Sequence, residues 1–494
     1  TDLKGYAIGI YGGPGLGKAQ PNSSIIPTFD GSKQIGDIKI GDYVFNRLGE
    51  PVKVLGVYPQ GFKDIYKITF ADGRTAFSCE EHLWTYVTSR KNFKTVPLKE
   101  IIEQGVRRAD GTKYKYNIPV ASPLQYVEKE FPVDPYVVGA FLGDGSLTLQ
   151  HLTLSSNDSF IPNRIAEILG CETEKTSDKN FNWVFFRGRY ENGSRKLIHT
   201  HEIFGDLPEV IENSFEKTIP AEYFEGSIDQ RFALLQGLMD TDGSITAKKG
   251  KINFSSVNYE LAQGVVDLAR SLGFVASLAQ YERNDRVSVE FNVQIQGLKN
   301  IERVFSLPRK KNLVKKYLET PTKKFVRDTI SIRNIEYSHK EEATCIFVDD
   351  LEHLYVTENY VVTHNTTTAV QAERPLLIAA EKGYKTLPDV LAVDVNSWTD
   401  ILTVASQLKK PEAQEKYATI VIDTLDELVF YAEQYVLQVN GVSKMNEIAY
   451  GGGYQQLEQM FRKVFKDITR HYGLIIVAHA DLKLDEDDPE KKLK

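Results

Sequence analysis

Val361-Val362-Thr363-His364-Asn365-Thr366 is the stretch around which this 494-residue sequence is organised. A His-Asn pair followed at once by a hydroxyl residue is what an asparagine side chain needs to attack its own backbone carbonyl, because the neighbouring imidazole can move the proton. The stretch therefore predicts a site where the chain cuts itself after Asn365.

The residues that follow complete a motif that was left unfinished 348 positions earlier. The first piece is Gly12-Gly13-Pro14-Gly15-Leu16-Gly17-Lys18, and the second is Thr366-Thr367-Thr368. Joined as GGPGLGK-TTT, they form a phosphate-binding loop of the type G-x-x-x-x-G-K-[ST]. Residues 19–365 are then an insertion that divides a nucleotide site. The arrangement resembles an intein, a self-excising protein segment, inside a P-loop ATPase.

Composition limits the function classes. The net charge is −7 and 26% of the residues are charged, so a surface for nucleic acid must be local. No stretch is long and apolar enough for a membrane span, and the sequence lacks a secretory signal pattern, so we expect a cytosolic protein with no membrane partner. Three cysteines, Cys79, Cys171 and Cys345, are too few for a disulfide framework or a zinc knuckle.

The length predicts several domains. We expect a multidomain chain: an N-terminal host segment (1–18), an all-β splicing domain in two pieces (19–122 and 331–365), an α+β insert (123–330) and an α/β host segment (366–494). Short strand-like runs separated by turn residues predict the all-β module. Below, residues 19–122 with 331–365 are called the splicing region, and residues 123–330 the endonuclease region.

The splicing region resembles the horseshoe-shaped Hint-type domain of inteins. Ile35 to Val44 resembles an I-x-D-x-x-x-G-D-x-V element of that family, and Ser78 to Trp84 stands where the family has T-x-x-H. The resemblance implies that His82 polarises the N-terminal scissile amide, with Cys79 in place of the usual threonine. It also implies that His353 and His364 assist cyclisation of Asn365. Taken alone, His82 would favour a partly buried structural histidine, but the two junctions in register favour the catalytic interpretation.

Two copies of one apolar helical element lie in the endonuclease region. They are Tyr136 to Gly145 and Leu234 to Gly243, and Asp144 and Asp242 are 98 positions apart. Small residues let two such helices approach closely, which brings the two carboxylates together at the helix ends. Paired carboxylates bind divalent metal, which activates water toward a phosphodiester.

Both elements resemble the LAGLIDADG motif of homing endonucleases. The resemblance implies a pseudo-two-fold domain, Mg²⁺ held by Asp144 and Asp242, and double-stranded DNA as partner. Strand-like stretches such as Asn182 to Tyr190 and Val287 to Val293 are then expected to form a saddle over the duplex. The first copy has Leu142 where the second has Asp240, at a position that does not bind metal in the family.

A basic run lies at residues 303–333, with only Glu319 and Asp328 opposing it. It can supply phosphate contacts or form a solvated helix face, and the sequence does not decide between them. Its basic residues are Arg303, Arg309, Lys310, Lys311, Lys315, Lys316, Lys323, Lys324, Arg327 and Arg333.

The host segments resemble a RecA-type recombination ATPase of the kind that phages encode. Tyr417 to Asp423 has the pattern of a Walker B strand, whose final aspartate orients magnesium. The resemblance implies ATP, Mg²⁺ and DNA as ligands of the spliced host, with Glu381 at the water-activating position. The expected nucleotide-binding residues are Gly12, Gly15, Gly17, Lys18, Thr366 and Asp423.

The start of the reaction is unusual because the insertion begins with Ala19, which has no nucleophile. Trp84, Cys345 and Thr363 together resemble the Trp-Cys-Thr signature of class 3 inteins, which lack a first-residue nucleophile. In such inteins Cys345 would attack the Lys18 carbonyl, and no cofactor is needed. A lone buried cysteine more often acts as a small hydrophobe.

Two alternatives remain. The first is a class 1 intein blocked by a cysteine-to-alanine change at position 19. The second is an ATP-dependent DNA-binding protein with an inert insertion, which would give no reason for His-Asn at the seam of the phosphate loop.

Overall fold

The computed structural model describes residues 7–11, 19–108, 111–146, 150–177, 180–205, 207, 217–246, 250–282, 289–297, 299–319, 328–350, 352–364, 374–380, 391–448 and 451–478. The chain divides into two compact units. One is residues 19–364, and the other combines residues 1–18 with 365–494. The division falls at the predicted N-terminal junction and one residue before the predicted C-terminal one.

In chain order, the strands of the described residues are β1 (Ala7–Tyr11), β2 (Gln20–Pro21), β3 (Ile25–Thr28), β4 (Gly31–Gln34), β5 (Tyr43–Phe45), β6 (Pro51–Phe70), β7 (Thr75–Cys79), β8 (Leu83–Val87), β9 (Phe93–Pro97), β10 (Asn117–Pro119), β11 (Gly145–Ser146), β12 (Thr153–Ser155), β13 (Glu172–Lys175), β14 (Asn182–Arg189), β15 (Arg195–Leu197), β16 (Gly243–Thr246), β17 (Lys251–Ser256), β18 (Val275–Tyr281), β19 (Glu290–Gln296), β20 (Thr329–Val348), β21 (Leu354–Thr357), β22 (Val361–His364), β23 (Pro375–Ala379), β24 (Ala392–Asp394), β25 (Thr419–Asp423) and β26 (Gly473–Ala478). The α-helices are α1 (Leu98–Gln104), α2 (Pro135–Asp144), α3 (Phe160–Leu169), α4 (Thr200–Phe204), α5 (Ile228–Thr241), α6 (Tyr259–Ser271), α7 (Pro308–Glu319), α8 (Trp398–Gln407), α9 (Pro411–Lys416), α10 (Leu425–Asn440) and α11 (Gly452–Thr469).

The two pieces of the splicing region form one β structure. β6 and β20, of 20 residues each, pair antiparallel from Phe70 opposite Ile332 to Val54 opposite Val348. The register shifts four times along this pair, and such irregularities bend and twist strands. β20 and β6 continue the sheet through β5, β3 and β4, with β2 beside β20 and β7 beside β6. The prediction of an all-β module is confirmed.

The endonuclease region consists of two similar halves. Each runs from a central helix through two strands and a second helix to two further strands, namely α2-β11-β12-α3-β13-β14 and α5-β16-β17-α6-β18-β19. The sheets have the matching orders β11-β12-β14-β13 and β16-β17-β19-β18. The internal duplication predicted from the repeated motif is therefore confirmed.

The two central helices pack at very close range. A Cβ added to Gly139 would lie 2.2 Å from the Leu234 carbonyl oxygen, and one added to Gly237 would lie 2.3 Å from the Tyr136 carbonyl oxygen. Only glycine fits either position, because such distances are far inside van der Waals contact. The predicted role of the small residues is confirmed.

The host unit contains a parallel sheet of order β1-β26-β25-β23-β24. Helices α8, α10 and α11 pack on it through apolar residues such as Trp398, Ala432 and Ile468. A parallel sheet buried by helices is the α/β arrangement expected for the host. Within the described ranges, no helix is long and apolar enough to cross a membrane.

Candidate functional site

The first residue of the insertion is completely buried against Cys79. The backbone N–H of Ala19, which is the leaving nitrogen of the N-terminal junction, donates to Cys79 Sγ at 3.3 Å. The Cys79 N–H donates to the Ala19 carbonyl oxygen at 3.0 Å. Burial raises the pKa of Cys79 to about 12, so this side chain is a neutral thiol near pH 7.

The register of β2 and β20 brings Cys345 to the same junction. Gln20 lies opposite Thr344 and Pro21 opposite Ala343. Ala19 precedes Gln20 and Cys345 follows Thr344, so each lies one residue beyond the last pair of this antiparallel ladder. Cys345 is 3% exposed, and its Sγ lies 3.6 Å from the Ile346 carbonyl oxygen.

Gln20 ties this junction to the C-terminal part of the insertion. Its Nε2 donates to Thr357 Oγ1 at 2.9 Å, and its Oε1 accepts from the Tyr355 hydroxyl at 2.5 Å. Both partners lie in β21, which pairs with β22, the strand that ends at His364. The side chain is completely buried, so these bonds are shielded from water. Nothing in the sequence pattern singles out Gln20.

His82, Trp84 and Thr363 lie together. His82 Nε2 is 2.5 Å from Thr363 Oγ1, and the His82 and Trp84 rings have centroids 5.6 Å apart. Trp84 is fully buried and its Nε1 donates to Ser78 Oγ at 3.3 Å. Two of the three signature residues thus flank the histidine predicted to act at the N-terminal junction.

His353 and His364 also come together, with ring centroids 6.0 Å apart. Leu354 pairs with His364 across β21 and β22, which places His353 beside the strand end. His353 has a positive φ of 55°, and Asp350 supports this turn by accepting from Leu354 N at 3.1 Å. Asn365 and Thr366 lie outside the described residues.

Asp144 and Asp242 lie at neighbouring ends of the two central helices. A Cβ added to Gly143 would be 3.1 Å from Asp242 Oδ2. Burial, followed by the negative charge of Asp144, raises the pKa of Asp242 to about 7. Asp144 keeps more than a third of its residue surface exposed, yet burial of its carboxyl group also raises its pKa. Two crowded carboxyl groups with raised pKa values fit a divalent cation, whose charge would favour ionisation of both.

Two buried lysines border the carboxylates, and neither belongs to the two repeated motifs. Lys217 Nζ donates to the carbonyl oxygens of Phe141, Gly143 and Gly145 at 2.9–3.1 Å. Lys310 Nζ donates to the carbonyl oxygens of Met239, Asp240 and Thr241 at 2.7–3.2 Å. Each lysine therefore occupies the C-terminal end of one central helix, where a cation is favoured. Burial lowers the pKa of Lys217, and lowers that of Lys310 to about 8.

Asp240 has a structural environment. Its Oδ1 accepts from the backbone N–H groups of Ser306 and Leu307, each at 3.0 Å, and its Oδ2 accepts from the Tyr136 hydroxyl at 3.1 Å. Asp240 is 2% exposed, and its partners Ser306 and Leu307 directly precede α7, the helix that carries Lys310. Its contacts therefore agree with the expectation that this position does not bind metal.

One face of the second sheet is lined by polar side chains. Asn253, Ser277, Asn292 and Gln294 line a shallow depression there together with Lys251 and Tyr281. The predicted strands correspond to β14 and β19. β19 starts at Glu290, later than the predicted stretch, which started at Val287. Val289 is described but precedes the strand, and residues 287 and 288 lie outside the described part.

The basic run has mixed environments in its described part. Arg303 contacts Asp229 at 2.5 Å, Arg309 lies 3.6 Å from Asp158, and Lys310 is buried as above. Lys315 and Lys316 are exposed. The described part of the run is therefore neither uniformly a solvated helix face nor uniformly available for phosphate contacts. Lys323, Lys324 and Arg327 lie outside the described residues.

In the host unit, Asp423 ends β25 between β23 and β26. This is the position expected of a Walker B aspartate. Gly12, Gly15, Gly17, Lys18, Thr366 and Glu381 lie outside the described residues.

Among the residues that the structure describes, no cluster of three or more His, Cys, Asp or Glu side chains is arranged to hold a metal ion.

Two family models match the chain. A LAGLIDADG-like domain matches residues 229–307, which contain the second central helix and Asp242. An AAA domain matches residues 365–494, beginning at the predicted C-terminal junction.

Curated relatives also match parts of the chain. The replicative DNA helicase DnaB of Mycobacterium intracellulare is 27% identical over 379 residues, which are 72% of this chain and 59% of the relative. The SPbeta prophage-derived uncharacterized protein YorG of Bacillus subtilis (strain 168) is 30% identical over 119 residues, 23% of this chain and 37% of the relative. The chain thus spans less than two thirds of either relative.

Several solved structures are also similar. The gp41-1 intein is 32% identical with a TM-score of 0.14, and the match covers 16% of this chain and 59% of that one. A G-1F mutant of the Ssp DnaB mini-intein variant M86 is 9% identical with a TM-score of 0.23, covering 71% and 99%. Mesophilic variants from the homing endonuclease I-DmoI are 11% identical with a TM-score of 0.24, covering 38% and 96%.

Three kinds of domain occur in one chain. They are the all-β splicing region, the endonuclease region with its duplicated helix-sheet unit, and the host unit with its parallel sheet. The chain contains a LAGLIDADG-like domain and an AAA domain, and its matches to inteins and to DnaB helicases support an intein with a homing endonuclease in a P-loop ATPase. The predicted fold class is confirmed.

Proposed function

We propose that this protein removes residues 19–365 from itself by a class 3 splicing reaction and joins Lys18 to Thr366. The observation that carries the proposal is the β2–β20 register, in which Ala19 and Cys345 each lie one residue beyond the last pair, Gln20 and Thr344. A cysteine beside the first residue of the insertion can replace the nucleophile that Ala19 lacks.

The first step forms a thioester. The Cys345 thiolate attacks the Lys18 carbonyl carbon, and the bond from that carbon to the Ala19 nitrogen breaks. The Ala19 nitrogen leaves as an amine and takes up the proton given up by the thiol. His82 is suited to move this proton, and its bond to Thr363 orients the imidazole.

The later steps join the host pieces. The Thr366 hydroxyl attacks the thioester, which forms an ester and regenerates the Cys345 thiol. The Asn365 side-chain nitrogen then attacks its own carbonyl carbon, closing a succinimide and releasing Thr366, and His353 and His364 assist this cyclisation. The freed Thr366 amine attacks the ester, and a peptide bond results. No water is consumed.

Splicing would restore the phosphate loop of the host. The product would contain 147 residues, 1–18 and 366–494, in which Lys18 and Thr366 are adjacent. ATP and Mg²⁺ would bind only then, with Asp423 orienting the metal, and DNA is the expected partner of the host.

The decisive experiment follows the purified precursor by mass spectrometry. We expect the spliced host and the insertion, with masses that sum to that of the precursor, and no product from Cys345→Ala. Hydrolysed host pieces without ligation, or an inert chain, would count against splicing. Cys171→Ala is the matched control, since Cys171 lies in the endonuclease region.

We also propose that the endonuclease region cleaves double-stranded DNA with Mg²⁺ held by Asp144 and Asp242. The observation in favour is the crowding of these two carboxyl groups between Lys217 and Lys310. When bound, the metal would activate water and stabilise the leaving oxygen. The polar sheet face that includes Asn253 and Gln294 offers groups that can bond base edges.

Cleavage of a plasmid that carries the uninterrupted host gene tests this second activity. Asp144→Asn and Asp242→Asn should each abolish cleavage and leave splicing unchanged. Asp229→Asn, on the exposed start of the same helix as Asp242, is the control and should cleave normally. Full cleavage by either of the first two variants removes the metal-ligand assignment.

A further inference from the structure

A buried arginine connects the splicing region with the endonuclease region. Arg74 lies between β6 and β7 and is 1% exposed. Its Nε donates to Asp72 Oδ2 at 2.9 Å, its Nη1 to the Tyr360 carbonyl oxygen at 2.9 Å and its Nη2 to the Phe274 carbonyl oxygen at 2.8 Å. Phe274 belongs to the endonuclease region, in the connection between α6 and β18. One guanidinium group therefore holds backbone carbonyls of both regions.

A second arginine makes the reciprocal contact. Arg270, near the end of α6, donates through Nη2 to the Asp72 carbonyl oxygen at 3.3 Å and to the Ala276 carbonyl oxygen at 3.1 Å. Val275, between Phe274 and Ala276, is 3% exposed and packs in the hydrophobic core of the splicing region. The α6–β18 connection is thus built into the splicing region.

The backbone that Arg74 holds is in a disfavoured conformation. Asn359 and Tyr360 have φ values of 53° and 59°, in the left-handed region that residues with a Cβ seldom adopt. Asn359 Nδ2 donates to the Thr75 carbonyl oxygen at 2.9 Å, and Arg74 donates to the carbonyl oxygen of Tyr360. β22 starts at the following residue and runs to His364, so these bonds fix the direction in which the strand enters the C-terminal junction.

The turn that contains Tyr360 adds another link between the regions. This turn, Glu358–Tyr360, packs against α6. Tyr360 therefore lies in a segment that contacts a helix of the endonuclease region as well as Arg74.

We propose that Arg74 and Arg270 are positioning residues for cleavage at the C-terminal junction, acting through the Tyr360 carbonyl and the start of β22. The α6–β18 connection of the endonuclease region then helps to position the C-terminal splice junction. This inference rests on the proposed splicing reaction.

The test measures the two junctions separately in the full precursor. Release of residues 1–18 by added thiol reports the N-terminal step, and the appearance of succinimide-ended insertion reports Asn365 cyclisation. Arg270→Met should slow cyclisation by about tenfold, the effect of losing a charge-assisted hydrogen bond, while the N-terminal step stays within about threefold. Arg270→Lys keeps the positive charge and a hydrogen-bonding group, and should recover part of the rate.

Arg74→Met should slow cyclisation in the same selective way, and the double variant should lose less than the product of the two single effects, because both side chains serve one network. Arg195→Met, in a partly exposed ion pair with Glu174 of the endonuclease region, is the matched control and should change neither step.

Unchanged cyclisation in Arg270→Met overturns the inference. Equal slowing of both steps also overturns it, because that result describes a general loss of fold. An unsubstituted precursor that forms no product at all contradicts the splicing proposal itself, so the two failures are distinguishable.

Discussion

His82 Nε2 lies 2.5 Å from Thr363 Oγ1, although the two residues are 281 positions apart in the chain. The contact joins the histidine that we propose to act at the N-terminal junction to the strand that ends at His364, next to the predicted C-terminal junction. It also explains in physical terms why a hydroxyl residue precedes His364, since a buried imidazole needs a fixed partner to set its orientation and tautomer.

Removing the Thr363 hydroxyl should disturb the N-terminal step. In Thr363→Val the shape is kept, but His82 loses this partner, so we expect thiol-induced release of residues 1–18 to slow by about 100-fold, within the usual range for acid–base groups. Thr363→Ser keeps the hydroxyl and should remain within about tenfold of the unsubstituted rate. Equal rates for the valine and serine variants would show that the bond has no role.

Cys79 should assist the junction without being the nucleophile. Burial raises its pKa to about 12, and its sulfur accepts the Ala19 N–H. Cys79→Thr keeps an acceptor and should still splice, whereas Cys79→Val leaves a buried N–H without a partner and should slow the first step by about tenfold. Mass spectrometry of the branched intermediate provides the measurement. Loss of that intermediate in Cys79→Thr, together with its persistence in Cys345→Ala, would reverse the roles of the two cysteines.

Metal binding by the endonuclease region should depend on pH near neutrality. The pKa of Asp242 is raised to about 7 from a value of 3.8 in the unfolded chain, so the folded protein retains a proton that the unfolded chain releases. Without metal, the free energy of unfolding should therefore fall as the pH rises from about 4 to about 7. Mg²⁺ must displace the same proton, so its apparent affinity should fall by about tenfold per pH unit below 7 and level off above it. Calorimetric titration at pH 6, 7 and 8 measures this, and a constant affinity would exclude Asp242 as a titrating ligand.

Lys310 should set the pH range of that metal site. Its positive charge lowers the pKa of Asp242, so Lys310→Met should move the pH midpoint of DNA cleavage upward. Binding of the target duplex should persist, because Lys310 is buried against the end of α5. Lys316→Met changes an exposed residue of the same helix and serves as the control. A pH profile of Lys310→Met that coincides with the unsubstituted one would contradict this electrostatic role.

The sequence predicts the parts of this molecule that depend on short motifs. The glycines of the two central helices, the paired aspartates after them, and His82, His353 and His364 all stand in recognisable local patterns. The structure brings His82 to Thr363 and His353 to His364 because β21 and β22 form one hairpin beside the N-terminal strands. The β22 strand itself follows from its apolar, β-branched residues.

The sequence could not predict the residues that act through distant backbone groups. Lys217 and Lys310 reach carbonyl oxygens 69 or more positions away, and each looks like an ordinary surface lysine in its own segment. Arg74 and Arg270 likewise bond carbonyl groups, which carry no side-chain signature. Gln20 was missed because its partners, Tyr355 and Thr357, lie in the other half of a region that is divided by 208 residues of insert (123–330).

The most direct test of the central claim compares two precursors by the mass of their products. In the first, Ala19 and Cys345 are both kept, and we predict spontaneous splicing with a branched intermediate linked through Cys345. In the second, Ala19→Cys is combined with Cys345→Ala, and we predict no splicing. An inert first precursor together with an active second one would show that the reaction starts at position 19, and the class 3 account would then be wrong.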